Sequence, residues 1–319
     1  MRTYVWRNGC LSLLTIPFYG GDTILMTDIG NLPILTFAPI DLSQMERVEA
    51  IRAASGSTLY VYSFASLFVW QAHEGYSVFI ADDAFLVKHG VRGDNVYMFP
   101  CGSKSGKKRL IDALLSQSSP SFSYICEDDK RFLESEYPDR FDFCECRDDF
   151  PYLYDKDAQI ALAGKEFKGL RHQIHLGRNT AREWTAEALC EENIERAISV
   201  NRGWANGRLT ADIADTDVAE LALRHLTPLH LWGMLFRADG EDAAYALGSF
   251  ITPEIFDVSF CKVLDKRCDC LIKWMLYRAL PPEVKTVDSE EDMGLAGLRT
   301  HKMLRRPKEL VRIWKGTLR

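Results

Sequence analysis

Long apolar runs are the first thing this chain lacks. No window approaches the ~20 consecutive apolar residues that a membrane-spanning helix needs, although 47% of the 319 residues are hydrophobic. A membrane span is not expected, and with 26% charged residues the composition is that of a globular protein. The mostly apolar run Leu11–Tyr19, preceded by two arginines, faintly resembles a signal peptide. It has no convincing small-residue cleavage site, and Tyr4, Val5 and Trp6 read as a strand, so the expectation is a cytoplasmic protein.

Metal-ligand spacing is also missing. The nine cysteines form two close pairs, Cys144-Glu-Cys146 and Cys268-Asp-Cys270, and neither has the C-x-x-C spacing of a zinc knuckle or a thioredoxin-like site. The seven histidines form no H-E-x-x-H set. No metal is expected, and the thiols read as reduced structural residues. A true P-loop is absent too. Gly102-Ser-Lys-Ser-Gly106-Lys107-Lys108 is one residue short, with Lys108 where Ser or Thr would hold magnesium. ATP hydrolysis is excluded; a surface loop is expected over 102–108, with a phosphate contact left open.

Excess positive charge is lacking overall. The net charge of −6 argues against a protein that coats nucleic acid, and no DNA partner is expected. The distribution is nonetheless uneven. Residues 299–319 hold eight Lys/Arg and one acid, Glu309, a balance of +7. In the segment 164–175, Phe167, Leu170 and Ile174 gather on one side at helical spacing, with Lys165, Lys168, His172 and His175 on the other and Arg171 beside them. This is an amphipathic helix whose basic stripe is either a solvated face or a polyanion contact.

What is present is a pattern repeated twice. Helices are expected at 41–54 and 59–73, strands at 76–80, 84–88 and 95–100, a helix at 109–117, a strand at 122–127, a helix at 130–136 and a strand at 141–147. Helices at 185–200 and 217–226 then precede strands at 232–238, 243–251 and 255–263. A helix at 269–280, a strand at 284–287, a helix at 297–305 and a strand at 309–315 follow. The order of elements replays, which suggests two copies of one α/β fold. In the second copy Lys262, Lys266 and Arg267 add charge near the N-terminus of the helix at 269, a place suited to an anion.

The stretch from Val284 to Lys302 concentrates polar chemistry. A short strand breaks into Asp288, Glu290, Glu291 and Asp292; Gly294 and Gly297 follow, then a helix carrying Arg299, His301 and Lys302. Arg299 and Lys302 are three apart and can reach the acids, so the group is either a site or a structural ion-pair cluster.

The chain resembles a known bacterial family at Tyr62-Ser-Phe-Ala-Ser-Leu-Phe-Val-Trp70, Phe99-Pro100-Cys-Gly102, Tyr152-Leu-Tyr154, Leu162-Ala-Gly164-Lys165, Arg171 and Lys262. The likeness continues through Glu290-x-Asp292-x-Gly294-x-x-Gly297-Leu298-Arg299-x-x-Lys302 to Pro307. It is similar to the domain-of-unknown-function family related to the C-terminal domain of phosphatidylglycerol lysyltransferase, over about residues 38–316. The departures are Asp288 and Ser289 before Glu290, Leu170 and His172 around Arg171, and Arg305 in place of a tyrosine.

The resemblance implies an α/β, mixed-sheet protein of two tandem GNAT-like acyltransferase domains, 1–160 and 161–319, the second carrying the site. It implies an acyl or aminoacyl transferase acting on an amine or hydroxyl acceptor, a small molecule or a peptide. Glu290 and Asp292 would serve as base or acceptor-binding groups, and Lys165, Lys168, Arg171, Lys262, Lys266, Arg267, Arg299 and Lys302 as donor- or anion-binding groups. No cofactor is firmly implied. Aminoacyl-tRNA, with tRNA as partner, is the preferred donor because of the basic helix and tail. Acyl-CoA is the alternative, without the usual Gly-rich loop at Leu264–Asp269. A non-catalytic binding protein that kept the tandem fold is the other class.

Overall fold

The structure, a computed structural model, describes residues 2–7, 10–15, 34–206 and 215–319. The strand expected at Tyr4–Trp6 lies in β1 (Arg2–Arg7), which pairs antiparallel with β2 (Cys10–Thr15) as a two-stranded sheet of its own. The end of the apolar run, residues 16–19, lies outside the described residues.

From Leu35 the chain folds as one unit. A reciprocal cap leads into α1 (Met45–Ser55): the Asp41 carboxylate accepts the Ser43 N–H, and the Gln44 side chain accepts the Asp41 N–H, each at 2.9 Å. In α2 (Phe64–Glu74) the Ser63 hydroxyl caps the first turn, and Gly75 ends the helix in the left-handed region. The strands β3 (Ser77–Ile80), β4 (Ala84–Lys88) and β5 (Val96–Met98) form an antiparallel meander, with the short β6 (Cys101–Gly102) also against β4. Then come α3 (Lys104–Gln117), β7 (Ser121–Ile125) parallel to β5, α4 (Glu127–Glu136) and β8 (Phe141–Glu145).

The first half closes with β9 (Tyr152–Asp155) and α5 (Lys156–Ala161), and the second opens with α6 (Lys168–Arg178), β10 (Trp184–Ala188), α7 (Ile194–Asn206) and α8 (Asp215–Arg224). A second antiparallel meander follows: β11 (Trp232–Ala238), β12 (Glu241–Thr252) and β13 (Ile255–Val263). After α9 (Asp269–Ala279) comes β14 (Thr286–Asp288), parallel to β13, then α10 (Ala296–Leu304), β15 (Glu309–Leu310) and β16 (Trp314–Leu318). The repeat read from element order is therefore topological: each meander ends in a strand paired parallel with the strand after the next helix.

Two seven-stranded mixed sheets result among the described residues, giving the tandem GNAT-like α/β architecture. Each sheet borrows a strand. β16 lies between β7 and β8 in the first sheet, and β9 lies between β14 and β15 in the second, all antiparallel. One apolar cluster joins α1, α2, α7 and α8 to residues of both sheets, among them Phe85 and Val87 in the first and Leu235 and Leu247 in the second. Among the described residues no helix is long and apolar enough to cross a membrane.

Three local expectations are corrected. Residues 104–108, expected in a loop, form the first turn of α3, because Ser103 accepts the Gly106 N–H at 2.9 Å and so starts the helix early. Thr185–Ala188, expected as the start of the helix at 185–200, lies in the edge strand β10, and the helix begins only at Ile194. The ladder of β10 with β11 outweighs the helical preference of Ala186 to Ala188. The single strand expected at 309–315 is divided, because the chain crosses from one sheet to the other between Leu310 and Trp314.

Candidate active site

The site starts from a fork in the second sheet. β13 and β14 pair over only three residues, and Asp257 opposite Asp288 is the last pair; β13 then runs on to Val263 while the chain after Asp288 leaves the sheet. The departing loop is tied back to β9: Ser289 N–H donates to the Tyr152 carbonyl and Tyr152 N–H to the Glu290 carbonyl, each at 3.1 Å. Glu290 takes a left-handed backbone at φ 56°, an uncommon conformation for a residue with a side chain. Its N–H donates to Asp288 Oδ1 at 2.8 Å.

The four residues singled out in this stretch do come together, in two groups. Asp292 is fully buried and accepts from Arg299 Nε (2.9 Å) and Nη2 (2.7 Å), Arg147 Nη1 (3.0 Å), the Tyr152 hydroxyl (2.5 Å) and the Gly294 N–H (3.0 Å). Arg299 also donates to Asp148 at 2.7 Å. Burial would raise the Asp292 pKa, but these donors outweigh it and hold the carboxyl well below the usual range. Five donors leave the carboxylate little capacity to take a proton from a substrate.

Lys302 heads the second group. It is buried, and its Nζ donates to the carbonyls of Ser289, Glu290 and Glu291, pinning the loop from below. Around it, among the described residues, lie Asp257, Asp288, Glu290 and Glu291. Glu291 accepts from the hydroxyl of Tyr60, a buried residue of the first half. Asp257 accepts from the Ser259 hydroxyl at 2.7 Å. Burial, with Asp257 and Glu291 close by, pushes the Glu290 carboxyl well up, and burial pushes Asp288 up to about 7. Burial also lowers the Lys302 pKa, against the pull of Glu290 and Glu291.

Glu290 differs from its neighbours in facing a pocket. That pocket is a narrow crevice with room for about one water, and its walls come from both halves: Ala65, Val69 and Trp70 of α2, Leu247 of β12, and Ser259 and Phe260 of β13. No hydrogen-bond partner for the Glu290 carboxylate is found among the described residues. Composition and spacing singled out the acid, but not the first-half wall. The aromatic-rich run at 60–70 was the available signal, and it read as core.

The remaining expected residues are dispersed. Lys262 is buried, pairs with Asp215 and lies 3.7 Å from the Trp204 ring centre. Lys266 is exposed; Arg267 forms a bidentate pair with Asp265, the closer contact 2.5 Å. Asp265 also accepts the Arg267 N–H, and Gly177 of α6 packs on the first turn of α9, where a Cβ would come within 3.0 Å of the Arg267 carbonyl. The amino end of α9 is thus occupied by the chain itself. So is that of α3, where Asp83 accepts from Ser103 and Arg109. Lys165 and Lys168 are exposed, and Arg171 donates to the carbonyls of Leu162 (2.5 Å) and Gly164 (2.7 Å), closing the end of α5. Beside this stripe Arg178 and Arg278 lie 4.6 and 4.5 Å from the Trp274 ring centre.

Among the described residues, Asp269, Cys270 and His301 hold metal-ligand atoms within 4.8 Å of one another. Asp269 already pairs with Lys273 (3.0 Å) and His301 (2.7 Å), with Arg305 at 3.7 Å, and fixed cations there oppose a metal ion. Arg305, at the family's tyrosine position, is a buried charge in this α9–α10 seam. Cys144, Cys146, Cys268 and Cys270 are free thiols.

A family profile described as "Phosphatidylglycerol lysyltransferase, C-terminal" matches residues 52–314. No curated protein matches the sequence. Among solved structures, a conserved protein of unknown function from Bacteroides thetaiotaomicron VPI-5482 superposes with a TM-score of 0.81 at 23% identity, covering 90% of this chain and all of that one. L-PGS from Bacillus licheniformis gives 0.60 at 13% identity, over 85% of this chain and 91% of that one. FemX gives 0.57 at 11% identity, over 88% and 97%. At these identities the likenesses show the fold.

Proposed function

The chain belongs to the phosphatidylglycerol lysyltransferase C-terminal family, and from that premise we propose that it is an acyl-group transferase, aminoacyl by preference, with Glu290 as its proton acceptor. The observation that carries this reading is the Glu290 carboxyl: raised by burial, without a partner among the described residues, and facing a pocket at the strand fork. A carboxyl held above its ordinary range is a better base near neutral pH than a free one. The acceptor's N–H or O–H approaches the donor carbonyl, the new bond to carbon forms, the bond to the donor's leaving oxygen or sulfur breaks, and the acceptor proton passes to Glu290. Asp292, expected beside Glu290 as a second acid, is assigned the clamp that shapes the loop, and Lys302 the support beneath it.

An aminoacyl-tRNA donor is favoured over acyl-CoA by two features. The exposed basic stripe of Lys165, Lys168, His172 and His175, next to Arg178 and Arg278, offers phosphate contacts over a long surface. The amino end of α9, where a pyrophosphate would gain most from the helix dipole, is filled by Asp265 and crowded by α6.

The test is transfer of labelled aminoacyl groups from tRNA, and of acyl groups from acyl-CoA, to a panel of amines and alcohols. Glu290→Gln should lower the rate at least about 100-fold with the melting temperature held. Transfer at the parental rate by Glu290→Gln would remove the base assignment, and CoA-only transfer would reverse the donor preference.

A further inference from the structure

Building on the transferase reading, we propose that the strand fork beside the Glu290 crevice is a subsite for a primary ammonium group, so that the acceptor is an alkylamine rather than an alcohol or an anion. Two buried acceptors at the fork point to it. Asp257 is 1% exposed and its Oδ1 has no partner among the described residues; Ser249 is 7% exposed and its Oγ has none either. The two face each other directly in the β12–β13 register, which places both side chains on one face of the sheet. Ser259, which lines the crevice, donates to the other oxygen of Asp257 and so links this pair to it.

The charge balance selects the ligand. Around the fork the described residues supply four carboxyl groups, Asp257, Asp288, Glu290 and Glu291, and Lys302 spends its donors on three backbone carbonyls. A phosphate or carboxylate would add negative charge to a cluster whose carboxyls burial and one another already push up, whereas a cation would relieve that crowding. An alcohol brings one donor, whereas an ammonium brings three, matched by Asp257 Oδ1, Ser249 Oγ and the Glu290 carboxyl. The remaining wall of the crevice, Ala65, Val69, Leu247 and Phe260, is apolar.

The full-length protein is titrated by calorimetry with n-butylammonium chloride, n-butanol and sodium butyrate, with no donor present. Saturable binding of the ammonium alone is expected, weakened about tenfold or more by Asp257→Asn. Ser249→Ala gives a milder second variant should the first unfold, with melting curves as the check on both. Equal binding of butanol, no binding of the ammonium, or unchanged affinity in folded variants would each overturn the subsite. Transfer to alcohols without ammonium binding would remove the subsite and keep the transferase. Ammonium binding without transfer from any donor would do the reverse.

Discussion

Asp292 and Glu290 are two residues apart and carry the same charge, yet their surroundings give them opposite chemistry. Asp292 sits among five donors, so Asp292→Asn should act on stability. It leaves Arg147 and Arg299 with weakened partners, both still partly solvated, for a loss of about 2 kcal/mol. Thermal melting should show the drop, while transfer per folded molecule stays near the parent's. Loss of transfer at an unchanged melting temperature would return Asp292 to the chemistry. Asp288 gives a pH signature. Its folded pKa of about 7 lies above the ordinary 3.8, so the folded state binds the extra proton between these values. That contribution to stability is full below about pH 4 and lost as pH rises through 7. Asp288→Asn should flatten this fall in denaturant titrations from pH 4 to 8; an unchanged slope would place the titration elsewhere.

At the level of elements, α6 has two faces with separate work. Leu170 and Ile174 pack into a cluster with Cys270 and Leu271, and Gly177 brings the helix onto α9. The outer face is left to solvent and to any polyanion. Lys165→Glu with Lys168→Glu should weaken tRNA binding and reduce the slope of log affinity against log salt by roughly 0.7 to 0.9 per lost phosphate contact. Arg171 is left out because reversing it would also uncap α5. Parental affinity and slope in the double variant would leave the stripe as a solvated face. The sequence showed this helix because amphipathic spacing is a local property, but placed it over 164–175, whereas α6 begins at Lys168 and Lys165 lies in the turn before it. It did not show that α6 would crowd the amino end of α9, because that contact joins residues 91 positions apart.

For the whole molecule, the exchanged strands govern how far the halves can be separated. Cutting at 160/161 would strip β16 from between β7 and β8, and β9 from between β14 and β15. It would also break the Tyr60–Glu291 contact that ties the first half to the site loop. Fragments 1–160 and 161–319, expressed alone, should lack cooperative melting and regain it on mixing; an independently melting fragment would show a self-sufficient half. The sequence by itself determined most elements, their replayed order and the cluster of acids and cations after residue 284, because helical and strand periodicity and turn chemistry are written in neighbouring residues. Tertiary structure alone decided that β16 crosses to the first sheet, that α2 walls the pocket, and that Glu290 faces it while Asp292 is locked away. Those outcomes depend on which groups remain unpaired after the sheets close around them, and pairing is settled between residues far apart in the chain.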